Sequence, residues 1–435
     1  MKKHNSSRIA VTGIGPVSSI GTGKDDFWKG ILGRKTKVQV EKVFVEDLLW
    51  REFHAHKINN FDITGFGIDR EMLNDIKEWK EGEEITDLNY MIAATKLALD
   101  DSRLDYNRQN NGIALVLAHE NLGLMPFGYK ISNLAYDMLI GKSKKDISRR
   151  DFMDTFYRSF LKSGYDVQTF ANLFHVSRIF NISEYSLFIN NACASGLYAL
   201  EVASQIIKNG QAKAAVAVSS DKADIYKYIW FENLGLYSKD GKIRPFSRNA
   251  GGIVFGDGGI GMVLEDMDNA VKRNAAIYAE YLGGGFDMEG WKITMPQLGS
   301  SSYQNAIRKA FKQADISGED VGLLCPHGTG CSVIDYYEAS AIKDIFGKRR
   351  SWPVITAFKP YIGHTLGASA LLETAILLLA LKNSTVPPTL NHDDPDPRCG
   401  ISLATKRVDT DASLAVKTCS AFAGFNSAAV FKKVD

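Results

Sequence analysis

Three residues of this chain have the chemistry for covalent catalysis on a thioester: Cys193, His327 and His364. Each stands where a short apolar run gives way to glycine or other small residues. Cys193 lies in Asn191-Ala192-Cys193-Ala194-Ser195-Gly196, His327 in Pro326-His327-Gly328-Thr329-Gly330, and His364 in Gly363-His364-Thr365-Leu366-Gly367-Ala368. A thiol can carry an acyl group, while neutral imidazole N–H groups can stabilise an oxyanion on a second substrate. One cysteine alone is usually a small buried hydrophobe, and one histidine alone a packed or surface ring. Three such junctions in one chain favour the catalytic reading.

The elements that must position these groups can be read around them. Ser186 to Ile189 reads as a strand, and Leu197, Leu200, Ala203 and Ile207 mark one face of the helix that follows. Cys193 then falls at a helix entrance, where backbone N–H groups lack intrahelical partners and the dipole is positive, which favours thiolate. The run from Val321 places His327 at a strand end, and Pro353 to Leu372 reads as strand, turn and helix with His364 at the helix entrance. Ala194-Ser195-Gly196-Leu197 is echoed 174 positions later, 368 against 194, by Ala368-Ser369-Ala370-Leu371. Two halves of one α/β pattern, each presenting a loop to a shared centre, account for the echo. Residues 1–275 form the half with the nucleophile, interrupted by a helical insertion at about 125–185, and residues 276–435 the half with both histidines. The insertion is read as a cap over a cavity or a subunit contact, with its aromatic residues as packing groups.

Other signals are weaker or point elsewhere. Gly13 and Gly15 suggest a dinucleotide fingerprint, but Ser18 holds the third glycine position and Pro16 fits a helix entry badly, so a tight turn at a strand end is preferred. The glycine-rich run from Arg244 to Glu265 lacks the Lys-Ser or Lys-Thr pair of a phosphate loop and reads as close backbone approach. His54 and His56 have no third ligand nearby and read as solvated surface; no metal site is expected. His119 and Glu120 follow the buried run Gly112 to Ala118, at a strand end where α/β folds place function. The 435 residues carry a net charge of +2, which gives no global argument for nucleic acid or membrane binding. Leu371 to Leu381 is too short to span a bilayer and carries Glu373. Five scattered cysteines suit a reducing compartment, and a cytoplasmic location is expected.

Taken in order, the motifs around Cys193, Arg244-Pro245-Phe246, His327 to Gly330, Phe358-Lys359, Gly363 to Ala368 and Phe422 to Asn426 resemble the beta-ketoacyl synthases. These are condensing enzymes of the thiolase superfamily, acting in fatty-acid and polyketide assembly. The resemblance runs from Ile9 to about Lys433 and implies a duplicated five-layer αβαβα fold. It also implies a homodimer or paired heterodimer, no cofactor, and acyl and malonyl thioesters of acyl carrier protein or coenzyme A as partners. By the same resemblance Cys193 takes the acyl chain, and His327 and His364 bind the malonyl thioester and stabilise the enolate formed as carbon dioxide leaves. Lys359 sets the electrostatics around His364, and Glu338 and Asp335 support the polar network. The N–H groups of Cys193 and Phe422 form the oxyanion hole, with Phe422 also the gate.

Several positions depart from the family pattern. Cys331 replaces Thr, Ile334 precedes Asp335 where Asn-Asp is usual, Ser247 follows Phe246, and Ala250-Gly251-Gly252 replaces Arg-Asp-Gly. The terminal loop carries Ala421, Ala423 and Phe425 in place of a more glycine-rich run. These departures favour a specialised pathway over housekeeping elongation. Ring closure to a cyclohexanedione or resorcinol after condensation is an alternative, with Glu120 or His119 as extra acid–base groups. A non-catalytic chain-length partner is disfavoured by Cys193 and the two histidines together.

Overall fold

The computed structural model describes residues 7–45, 47–79, 86–120, 148–163, 168–347 and 352–434, with a few positions between 128 and 136. Ten strands form its centre. In chain order they are β1 (Ile9–Ser18), β2 (Ile113–Ala118), β3 (Ser186–Ile189), β4 (Ala214–Asp221), β5 (Gly258–Asp266), β6 (Ala279–Met288), β7 (Leu323–Cys325), β8 (Val354–Ile355), β9 (Leu414–Ser420) and β10 (Phe425–Lys432). The first five run in the spatial order β3-β2-β4-β5-β1 and the second five in the order β8-β7-β9-β10-β6. Each strand of the first set therefore has a counterpart five numbers on. The senses agree too: β1–β5 and β5–β4 are antiparallel and β4–β2 and β2–β3 parallel, as are β6–β10, β10–β9, β9–β7 and β7–β8. Antiparallel pairing of Ile9 to Val11 with Tyr281 to Ala279 joins the sets edge to edge.

The helices repeat the same plan. They are α1 (Thr86–Ser102), α2 (Thr169–Ile179), α3 (Ser195–Lys208), α4 (Ser302–Ala314), α5 (Ser332–Phe346) and α6 (Ser369–Lys382). Helix α1 packs on the outer face of the first sheet and against α2, and α4 packs on the outer face of the second sheet and against α5. Helices α3 and α6 lie between the sheets and touch each other. This is the five-layer αβαβα arrangement, and the echoed segments are the starts of its two central helices, Ser195 and Ser369.

Sequence accounts for the layering. Every residue of β4 is buried, as a strand covered on both faces requires. Helix α6 is buried from Ser369 to Leu381, so it is covered on every face rather than amphipathic, with Glu373 its one charged residue in that span. Gly15 lies within β1, not in a turn at its end: a Cβ there would come within 2.2 Å of the Ala94 carbonyl of α1. Its counterpart in β6, Gly285, would meet the Ala306 carbonyl of α4 at 2.0 Å. Each outer helix therefore rests directly on backbone.

Other expectations meet correction. His56, at the end of the strand Leu48–His56, is buried, and burial lowers its imidazole to about 4. It pairs in register with Gly256, so it belongs to the packing and not to solvated surface. In the insertion, residues 149–163 and 169–179 are helical, while 137–147 and 164–167 lie outside the described residues. Phe152, Tyr157, Phe170 and Phe174 there are exposed in the single chain, and Phe174 meets the His175 ring edge to face at 5.3 Å. No helix among the described residues is long and apolar enough to cross a membrane.

At the centre, α3 and α6 meet at Gly196, where a Cβ would lie 2.8 Å from Leu371 Cγ and 3.1 Å from the Leu371 nitrogen. Gly196→Val is expected to overpack this contact and cost about 1–3 kcal/mol, read as a lower urea midpoint at unchanged slope.

Candidate active site

Cys193 sits in the tight passage from β3 to α3. Ala192 takes a positive φ of 50°, and Ser195 clamps the turn: its Oγ accepts from Asn191 N–H at 2.8 Å and donates to the Ala192 carbonyl at 2.6 Å. A non-glycine residue in the left-handed region is uncommon, so backbone strain is held immediately before the thiol. The first helical residue is Ser195, with Ala194 as the cap, so Cys193 lies just outside the helix. The surroundings of the sulfur work against the expected thiolate. Burial pushes the Cys193 thiol well above its ordinary value, and Glu120 and Cys419 push the same way against Lys359. The helix entrance places the sulfur without ionising it.

His327 follows β7 on a loop held from beneath by two carboxylates of α5. Glu338 accepts the N–H groups of His327 and Gly328 at 2.7 and 2.8 Å, and also the Tyr303 and Thr418 hydroxyls. Asp335 accepts from the N–H groups of Phe246, Thr329 and Gly330 at 2.7, 3.0 and 3.2 Å, which ties the Arg244-Pro245-Phe246 motif to the histidine loop. Burial raises its carboxyl to about 7 against these bonds. His364 lies in the turn before α6, its N–H donating to the Val254 carbonyl at 2.8 Å.

The protonation pattern of both rings follows from their partners. Leu366 N–H donates to His364 Nδ1 at 3.1 Å, so that nitrogen is an acceptor and the proton sits on Nε2. Lys359 Nζ stands 3.1 Å from His327 Nδ1 and donates to the His327 carbonyl at 2.6 Å, which leaves the His327 proton on Nε2 as well. The rings meet edge to face with centroids 5.4 Å apart. Burial, then Lys359, lowers both imidazoles well below their ordinary value, so both are neutral donors at neutral pH.

The groups behind them include two that sequence reasoning missed. Glu373 Oε1 accepts from Lys359 at 2.5 Å and Oε2 accepts from Lys417 at 2.7 Å, all three side chains fully buried. Lys417 also donates to the Pro326 carbonyl at 2.9 Å. One carboxylate between two ammonium groups leaves net positive charge beside the rings. Lys359, expected to set the electrostatics around His364, lowers that imidazole after burial, and its direct contact is with His327. A lysine inside the apolar strand β9 was the available signal for Lys417, and Glu373 was noticed only as a charge in an apolar stretch. Cys419 is a further missed neighbour, with Sγ 3.4 Å from the Cys193 carbonyl and 3.4 Å from His327 Nδ1.

One cleft brings Cys193, His327, His364 and Phe422 together. The Phe422 ring stacks on Phe231 at 5.3 Å and 15°, followed by Ala423 at a φ of 60°. The segment from Lys292 to Pro296 forms the facing wall, with Ala423 N–H donating to the Ile293 carbonyl at 2.6 Å. Of the extra acid–base candidates, Glu120 lies against the nucleophile, with Cys193 Sγ 3.7 Å from its Oε2. His119 is buried and faces Asp87, Nε2 to Oδ2 3.7 Å, so it is not brought to the sulfur.

Burial alone would raise the Glu373 carboxyl, but Lys359 and Lys417 overcome it and hold the group below its ordinary value. It therefore contributes stability at neutral pH that is lost as acid protonates it. Glu373→Gln, which strands two buried ammonium groups, is expected to cost about 3–5 kcal/mol in urea unfolding at neutral pH, with a smaller deficit in acid.

Comparison with known proteins gives a consistent result. Residues 6–270 match the family described as beta-ketoacyl synthase, N-terminal domain, and residues 278–393 the beta-ketoacyl synthase, C-terminal domain. The chain is similar to the 3-oxoacyl-[acyl-carrier-protein] synthase 2 of Vibrio harveyi, 29% identical over 98% of this chain and 99% of that one. It is also similar to the protein of the same description from Coxiella burnetii, 26% identical over 98% and 99%. Among solved structures, the ishigamide ketosynthase/chain length factor superposes with a TM-score of 0.77 at 25% identity, over 99% of this chain and all of that one. A beta-ketoacyl synthase from Burkholderia phymatum superposes with a TM-score of 0.80 at 22% identity, over 99% and 100%. With both halves of the family matched between residues 6 and 393, the chain belongs to the beta-ketoacyl synthases.

Proposed function

We propose that this beta-ketoacyl synthase works through Cys193 as acyl acceptor and through His327 and His364 as the donors that drive decarboxylation. The observation that carries the assignment is the pair of neutral rings whose Nδ1 atoms are both engaged by the protein, leaving two Nε2–H groups for the cleft. Two neutral donors suit a thioester carbonyl whose oxygen gains charge as carbon dioxide leaves the malonyl group. The enolate then attacks the Cys193 acyl thioester, and the sulfur departs as the carbon–carbon bond forms. Cys193 and Phe422 N–H groups are proposed to hold the oxyanion of that step, and Phe422 to gate the acyl side. Lys359 acts as a positioning residue: it fixes the His327 tautomer, and with Lys417 keeps both rings unprotonated. Glu338 and Asp335 hold the histidine loop by its backbone.

Acyl carrier protein is the proposed bearer of both substrates, on the strength of relatives named for it. Polyketide-type assembly is supported by the likeness to a ketosynthase/chain length factor and by the departures at Ser247, Ala250 and Cys331. The halves 1–275 and 276–435 are proposed as the working units, the first supplying the nucleophile and the second the histidines. Pairing with a second copy or a homologue is proposed along β3, which ends the sheet and is only partly buried.

Incubation with acyl carrier protein bearing a labelled acyl group, followed by intact-mass measurement, is expected to give one adduct that Cys193→Ala abolishes. An undiminished adduct in that variant would sink the nucleophile assignment. His327→Ala and His364→Ala are expected to retain the adduct but to release carbon dioxide from a malonyl thioester more slowly, on the order of 10²–10³-fold each. Because burial and Lys359 depress both imidazoles, their neutral form persists as pH falls. Decarboxylation by the wild type should accordingly stay flat between about pH 6 and 8; a fall through the ordinary histidine range would contradict it.

A further inference from the structure

Cys193 and Glu120 face each other at 3.7 Å, and nothing in the proposed condensation uses the carboxyl. Glu120 arrives from the end of β2, and the sulfur from the end of β3, so adjacent parallel strands bring the two together. The arrangement is fixed on both sides. Asn190, three residues before the nucleophile, donates its Nδ2 to the Glu120 carbonyl at 2.9 Å. On the far side the Glu120 backbone lies under Gly367, where an added Cβ would come within 3.1 Å of its nitrogen. A carboxyl is thus held against the reacting sulfur by contacts that do not involve its own oxygens.

We propose that Glu120 is a catalytic residue, the proton acceptor for Cys193 in acyl transfer. The inference rests on Cys193 being the nucleophile. As Sγ bonds to the acyl carbonyl carbon, the Cys193 proton passes to the Glu120 carboxylate. The carbon–sulfur bond to the carrier breaks, and Glu120 returns the proton to the departing thiolate. The carboxylate is regenerated and the products are acyl-Cys193 and a free carrier thiol. The step supplies what the site otherwise lacks, since the buried sulfur is a thiol at rest and the neighbouring imidazoles have their Nδ1 atoms occupied.

The groups facing this pair define its pH response. Glu120 is faced by Cys193, by Asp221 of β4 and by Lys227 of the helix Ile225–Asn233, with His119 its chain neighbour; Cys193 is faced by Glu120, Cys419 and Lys359. Burial and Asp221 raise the Glu120 carboxyl to about 8, against Lys227. The accepting form is therefore present above about pH 8 and is lost as pH falls through it.

The test compares two reactions of the same sulfur in the full chain: acyl transfer from acetyl-S-N-acetylcysteamine and alkylation by iodoacetamide, both followed by intact mass. Acyl transfer by the wild type should rise to a plateau through about pH 8. In Glu120→Gln that inflection should vanish from both reactions and both rates at neutral pH should fall, acyl transfer on the order of 10²-fold, because each needs the Cys193 proton removed. Glu120→Asp should keep an inflection at reduced rate. An unchanged pH profile of either reaction in Glu120→Gln, or loss of the inflection in Glu120→Asp, would overturn the proposal. Acyl transfer persisting in Cys193→Ala would instead overturn the nucleophile assignment beneath it.

Discussion

The site depends on a single carboxylate shared between two ammonium groups in a dry interior. Glu373 accepts from Lys359 and Lys417, and all three are fully buried. Unpaired charges would be untenable there, yet the pairing is uneven, so the neighbourhood stays positive. Burial first, and that residual charge behind it, keep His327 and His364 neutral, and Lys359 in addition selects the His327 tautomer. The chemistry of the rings is therefore set from behind, by groups that need never meet substrate.

The remaining support is backbone chemistry. Asp335 and Glu338 each accept two or more main-chain N–H groups, from the histidine loop and from Phe246, and take up the Thr329, Tyr303 and Thr418 hydroxyls besides. His364 is held by its own main chain against Val254 and by Leu366 against its ring. Cys193 is held by a hydroxyl clamp around a left-handed alanine. Three loops from two halves of the fold thus reach one cleft, each stiffened locally.

Much of this was legible in the sequence, and for identifiable reasons. Small-residue turns after apolar runs located Cys193, His327 and His364, because a chain can change direction sharply only where side chains are small. The echo at 194 and 368 revealed the duplication because both central helices begin under the same packing constraint. What stayed hidden was pairing across distance. Glu373 and Lys417 are 44 residues apart, and no local pattern says that two buried charges will meet. The upward push on the Cys193 thiol stayed hidden for the same reason: helix position is local, whereas burial, and then Glu120 and Cys419, come from the sheet and from β9. His56 looked like solvated surface until a distant strand, Phe255–Gly256, covered it.

The contact between Gly196 and Leu371 has a geometric consequence. Helices α3 and α6 begin beside each other, and the residues just before each beginning are the ones that carry Cys193 and His364. With no side chain on Gly196, both the side chain and the backbone nitrogen of Leu371 close directly on the α3 backbone, so the two helix starts are spaced by one leucine against bare main chain. The separation between sulfur and imidazole is accordingly a machined dimension of the fold: the pocket walls can diverge to suit a new acyl chain while the distance across which the carbon–carbon bond must form stays the same.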